Sequence, residues 1–167
     1  NTGTGKGKST AAFGMVFRGI AHGMPCAVVQ FIKGAMATGE RDLIQQHFPE
    51  LCEFHTLGDG FTWDTQDKEK DIASAKKAWC KAKELISDKK KKIILLDEIN
   101  IALRYGYVEI DDVITFLLEK KPKMTHVILT GRNANEKLIG IADLVTDMTL
   151  VKHHFRNGVM SQPGIEF

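Results

Sequence analysis

Short apolar runs alternate with stretches of helical spacing along the whole chain. Residues 8–22 carry Ala11, Ala12, Phe13, Met15, Val16 and Phe17, and Gly23 supplies a natural C-terminal stop. The run CAVVQF over 26–31 is apolar and nearly continuous, which predicts a short buried strand. A short helix near 40–47 and a weaker strand over 53–57 follow. Residues 67–87 place Ile72, Ala75, Trp79, Ala82 and Ile86 on one face of a long helix. Ile93–Leu96 reads as a second buried strand. Then come a helix over 111–120 stopped by Pro122, a strand over 126–130, a helix over 135–142 and a last strand over 148–152. Strands alternating with helices predict an α/β fold whose mainly parallel sheet is covered on both faces.

The chain has 167 residues, enough for one domain spanning 1–167 with a real core. Its net charge of +2 is too mild to argue for a nucleic-acid partner or a membrane surface. Lys89–Lys92 has the look of a nucleic-acid patch, but it caps a turn before a buried strand, where a solvated turn is the simpler account. No apolar run approaches the ~18 residues of a membrane span, and no signal-peptide pattern is visible. Cys26, Cys52 and Cys80 are widely spaced and fit no metal pattern, as expected of thiols in a reducing cytoplasm.

The chemistry starts at Gly3-Thr4-Gly5-Lys6-Gly7-Lys8-Ser9-Thr10. Three glycines in five positions let the backbone curl with its N–H groups inward. Lys8 adds a positive charge, Ser9 offers a hydroxyl to Mg²⁺, and the helix that follows points its positive end at the same spot. Such a loop holds a polyphosphate, above all that of a nucleoside triphosphate. The usual pattern has a glycine where Thr2 stands, and here it is displaced to Gly3. A glycine-rich turn that binds nothing is the competing account, and Gly-Lys-Ser-Thr leading into an apolar helix argues against it. A loop of this kind normally follows a strand. With the chain starting at Asn1, the expectation is that the natural protein extends further and that the strand before the loop is missing from this chain.

The strand over 93–96 ends in Asp97-Glu98. In phosphate-loop proteins such a strand lies beside the one before the loop, and its terminal acid reaches magnesium directly or through water. One of Asp97 and Glu98 is expected to serve the metal, while the other could polarise a water or hold the first in place. The alternative is a strand end with a helix-capping acid. Arg132, in Thr130-Gly131-Arg132 at the end of another strand, is placed to reach triphosphate oxygens, though a surface arginine after a turn fits its position equally well. In Asp59-Gly60-Phe61-Thr62-Trp63-Asp64, an extended loop would point both aromatics to one side, suited to a flat apolar-faced substrate. A strand burying both is the competing account.

Taken together, these stretches resemble the phosphate-loop corrinoid adenosyltransferases (ATP:cob(I)alamin or cob(I)yrinic acid a,c-diamide adenosyltransferases). The resemblance covers essentially the whole chain. It rests on residues 3–14, Val28-Val-Gln-Phe-Ile-Lys-Gly34, Gly39-Glu-Arg41, Gly60-Phe-Thr-Trp63, Leu96-Asp-Glu98, Thr130-Gly-Arg132 and Val151-Lys-His153. It also accounts for the displaced first glycine. The resemblance implies a RecA-like α/β fold and a homodimer. It implies that a Co(I) corrinoid attacks C5′ of ATP, so that the 5′-deoxyadenosyl group moves to cobalt and triphosphate leaves. ATP would lie along the loop in the reverse of the usual sense.

By the same resemblance Thr4, Gly5, Lys6, Gly7, Lys8, Ser9 and Thr10 hold the nucleotide, and Arg18 reaches the nucleoside. Lys8 and Arg132 act in catalysis, and Ser9, Glu98 and Asp97 serve Mg²⁺. Phe61 and Trp63 contact the lower face of the corrin and favour a four-coordinate Co(II). Gln30 and Lys33 line the same rim without an assigned role. A reduced flavoprotein is the implied electron donor, and an N-terminal segment helps cover the corrinoid. The rival functions are a phosphate-loop ATPase or kinase using Asp97 and Glu98 with Mg²⁺, a non-catalytic sensor on the same fold and, more weakly, a DNA-binding protein.

Overall fold

The computed structural model describes residues 1–32, 38–57 and 68–166. Among them four strands form one sheet: β1 (Cys26–Gln30), β2 (Cys52–Thr56), β3 (Ile93–Asp97) and β4 (His126–Leu129), in the order β2-β1-β3-β4. Every pairing is parallel. Helices wrap the sheet: α1 (Lys8–Ala21), α2 (Gly39–His47), α3 (Lys68–Ser87), α4 (Ile99–Arg104), α5 (Ile110–Glu119) and α6 (Glu136–Ile141). This is the RecA-like α/β architecture expected from the alternating pattern.

The two central strands are buried at every position, as a parallel sheet covered on both faces requires. Their side chains divide by parity. Cys26, Val28, Ile93 and Leu95 pack with Ala12, Phe13, Val16 and Ile20 of α1 and Ile44 of α2. Ala27, Val29, Ile94 and Leu96 face the opposite cluster, built from α3 to α6. Trp79 of α3 is buried there, and its indole N–H donates to Asp112 at 2.6 Å.

Chain order fixes where a ligand can sit. From β1 the chain moves outward to β2, then crosses back to β3 on the other side of β1. A crevice therefore opens beyond the carboxyl ends of β1 and β3, at the point where the winding reverses. Gln30 and Asp97 are register partners at that point.

Two expectations are corrected. The segment after Leu144 forms no strand over 148–152; it makes a single bridge, Asp147 to Thr2. Its backbone groups serve the loop instead. Met148 N donates to Thr2 O (2.9 Å), and Met148 O accepts from Gly5 N (2.6 Å). Nor does β3 lie beside the residues entering the loop. The Asn1 amino group donates to Leu129 O at 2.9 Å, so β4 stands between them. Helix α4, directly after the strand-end acids, was not visible in the periodicity.

Cys26, Cys52 and Cys80 are all free; the first two are buried. Lys89 and Lys90 are exposed in a turn, as expected, and Lys91 pairs with Glu53.

Ile94 is fully buried in the centre of the sheet, whereas Leu118 is 65% exposed. Ile94→Ala should lower the unfolding free energy by about 2–5 kcal/mol in urea titration, and Leu118→Ala by less than about 0.5 kcal/mol. Similar losses at both positions would contradict this core assignment.

Candidate functional site

The loop is shaped by its glycines and by what lies against them. Gly3 and Gly7 adopt φ of +100° and +102°, in the region where side chains are strained. A Cβ on Gly5 would sit 2.7 Å from Met148 O and 2.8 Å from Thr149 O, so the backbone of residues 148–149 approaches too closely for any other residue. Gly7 then caps α1. Thr4, Lys6 and Thr10 are exposed, Ser9 is half-buried and Lys8 is buried.

The Lys8 ammonium donates to the carbonyl of Gly5 at 2.5 Å, so the loop closes on itself. Burial holds its pKa below the ordinary lysine value. Glu98 and Asp147 oppose that shift, and Arg132 adds to it. Lys8, Glu98 and Arg132, far apart in sequence, thus come within electrostatic reach of one another.

The two strand-end acids have different surroundings. Asp97 is buried, and both of its oxygens accept hydrogen bonds. Oδ1 takes one from the Thr130 hydroxyl (2.8 Å) and Oδ2 one from Gln30 Nε2 (3.3 Å). Gln30 accepts in turn from Thr56 (3.2 Å). Thr130 Oγ1 also accepts from the backbone N–H of Glu98 at 2.9 Å. This chain of contacts ties the ends of all four strands together and fixes the backbone at residue 98. Glu98 itself sits at φ +61°, a left-handed conformation unusual for glutamate.

The Glu98 carboxylate is different: its Oε2 is buried and has no partner. Burial, with Asp97 next, pushes its pKa up to about 7, against the pull of Lys8 and Arg132. A Cβ on Gly131 would lie 3.1 Å from that oxygen, so glycine leaves room beside it. Asn100 donates to Gly131 O at 3.1 Å and keeps this turn in place. A buried acceptor without a donor is what a cation or its water would complete. Among the described residues no cluster of three His, Cys, Asp or Glu could hold a metal alone. Mg²⁺ is commonly held by one or two carboxylates together with substrate phosphates, and the Glu98 oxygen is of that kind.

Arg132 follows Gly131 and is exposed. Arg18 lies in the last turn of α1, roughly 15 Å along the helix from Lys8. Phe61, Trp63 and Lys33 lie outside the described residues. Gln30 and Thr130 had no assigned role in the sequence. A polar residue ending an otherwise apolar strand was the available signal.

Sheet and site define the class, a RecA-like α/β protein with a phosphate loop and a strand-end acid pair. The family described as ATP:corrinoid adenosyltransferase BtuR/CobO/CobP matches residues 1–167, and the chain belongs to it. A corrinoid adenosyltransferase of a Sinorhizobium species is 68% identical over the whole chain, which covers 78% of that relative. Those of Pseudomonas aeruginosa and Escherichia coli K12 are 50% and 42% identical, over 100% and 99% of this chain and 81% and 83% of theirs. The chain is therefore a transferase of a family whose substrates are ATP and a corrinoid.

Between the ordinary value of 4.5 and about 7, the folded protein keeps a proton on Glu98 that the unfolded chain releases. This stabilisation is complete below the lower value and is lost as pH rises through the upper one. Without divalent metal, Glu98→Gln, which cannot ionise, should therefore gain stability relative to wild type from pH 5 to pH 8 in denaturant titrations. Parallel curves would contradict the raised pKa.

Proposed function

We propose that this chain transfers the 5′-deoxyadenosyl group of ATP to the Co(I) of a corrinoid, releasing triphosphate, in adenosylcobalamin biosynthesis or salvage. One observation carries the site assignment. The buried, unpartnered oxygen of Glu98 lies within electrostatic reach of Lys8, at the mouth of a phosphate loop, in a chain of this family. Residues 1–167 act as one nucleotide-binding domain.

In this account the backbone N–H groups from Thr4 to Thr10 cradle the triphosphate. Lys8 leaves the Gly5 carbonyl for a phosphate oxygen, and Arg132 adds a second cation from the opposite rim. Ser9 and Glu98 hold Mg²⁺, and Asp97 acts behind them by fixing the strand ends. The ion supplies positive charge to the polyphosphate. The Co(I) electron pair forms the Co–C5′ bond, the C5′–O bond breaks, and its electrons go to the triphosphate. Charge grows on the leaving group, so cations placed there lower the barrier. No general base is needed, since the nucleophile carries no proton.

Phe61 and Trp63 are assigned to the corrin's lower face by the resemblance, as are a reduced flavoprotein donor, a homodimer and a cytoplasmic setting. Among the described residues no helix is long and apolar enough to cross a membrane. No relative cited above carries an ATPase or kinase name, and no observation favours that alternative.

Anaerobic incubation with ATP, Mg²⁺ and chemically reduced cobalamin should give a light-sensitive Co–C species and triphosphate. ADP and phosphate with no change at cobalt would contradict the assignment. Lys8→Ala should slow turnover by on the order of 10²-fold or more, as loss of a preorganised charge does. Trp63→Ala should impair turnover started from Co(II) more than turnover started from Co(I). Equal losses would give the aromatic pair another role.

A further inference from the structure

The loop's outer side is attached to the C-terminal end of the chain. Lys6 Nζ donates to Glu166 Oε1 at 2.9 Å and lies 3.5 Å from Ile165 O. His154 Nε2 is 3.2 Å from the same carboxylate oxygen. Glu166 Oε2 accepts from the Gln162 backbone N–H at 2.8 Å, and Glu166 N donates back to Gln162 O at 3.0 Å. Both oxygens are therefore engaged, and the side chain is only 14% exposed. The bond from Lys6, then that from Gln162, holds the carboxyl below its ordinary range, so it is ionised at neutral pH. Three parts of the chain meet on it: the loop, the 3-10 turn His154–Asn157 and the closing turn.

Backbone bonds from Thr2 and Gly5 to residues 146–148 anchor the entry of the loop. Beside Gly5 and Lys6 lies a cavity of about 250 Å³, lined also by residues 149–154. The ion pair adds a second attachment, from Lys6 to the closing turn. The loop's two lysines diverge: Lys8 is buried on the Gly5 carbonyl, whereas Lys6, 45% exposed, reaches Glu166.

We propose that Glu166 is a positioning residue: by pairing with Lys6 it fastens the outer side of the phosphate loop to the C-terminal turn, and so sets the affinity for the nucleotide. That the nucleotide is ATP rests on the adenosyltransferase assignment. The charge of Lys6 is thereby directed to Glu166.

The test is equilibrium binding of ATP with Mg²⁺, without corrinoid, to wild type, Glu166→Gln, Lys6→Met and the double variant. Each single variant should bind roughly three- to tenfold more weakly, the scale of one charge-assisted bond. The double variant should be no weaker than the worse single. In turnover by Glu166→Gln, KM for ATP should rise by the same factor with kcat unchanged, and its thermal midpoint should stay close to wild type. Unchanged or tighter binding by Glu166→Gln would overturn the proposal. So would losses that multiply in the double variant, or a kcat that falls together with the midpoint. Wild type that binds ATP while Glu166→Gln binds it equally well defeats this inference alone; wild type that binds no ATP defeats it and the functional assignment together.

Discussion

The site depends on the hydrogen bonds made by one buried carboxylate. Asp97 takes the hydroxyl of Thr130 on one oxygen and the amide of Gln30 on the other, so the ends of β1, β3 and β4 are joined through a single side chain. A buried polar group is tolerated only when it is hydrogen-bonded. Here the bonds come from the strands that flank the winding reversal. The same threonine oxygen receives the N–H of Glu98, which fixes the next residue in an unusual left-handed turn. Removing this arrangement would release the backbone N–H that aims Glu98.

The acid pair is thereby divided. Each Asp97 oxygen takes one protein donor, whereas Glu98 has a buried oxygen with none. An unpartnered acceptor is destabilising in isolation, and so is the nearby Lys8, buried and turned onto its own loop. In the account proposed here, a polyphosphate and a cation would relieve both. In the proposed reaction the same positive charge then meets the triphosphate as it departs. One set of groups thus serves binding and the chemical step, because the leaving group is the part of the substrate that the loop holds.

Much of this was legible in the chain. The strands over 26–31 and 93–96 and the helix from Lys8 announce themselves by unbroken apolar runs or helical spacing, and the structure has them within a residue or so. The loop was legible because its chemistry is local, eight consecutive residues with a fixed task. The division between Asp97 and Glu98 was not, because its cause lies 33 and 67 residues away, in Thr130 and Gln30. The strand expected over 148–152 failed for a related reason. Its apolar residues look like a strand, but the partner offered to its backbone is the curled loop, which takes two or three hydrogen bonds and no ladder. Helix α4 is too short to show a period. Nothing in a lone glutamate at position 166 marks it as a partner of Lys6, 160 residues earlier.

The central claim is that Glu98, and not Asp97, presents the free carboxylate to the cation. It is tested most directly by Mn²⁺ binding, read by electron paramagnetic resonance, in the presence of ATP. Glu98→Gln should lose the ATP-dependent Mn²⁺ site by roughly tenfold or more in affinity while remaining folded, since it removes a direct ligand. Asp97→Asn should lower the thermal midpoint yet retain the site. A Glu98→Gln protein that binds Mn²⁺ as wild type does, with the site lost in Asp97→Asn, would contradict the account.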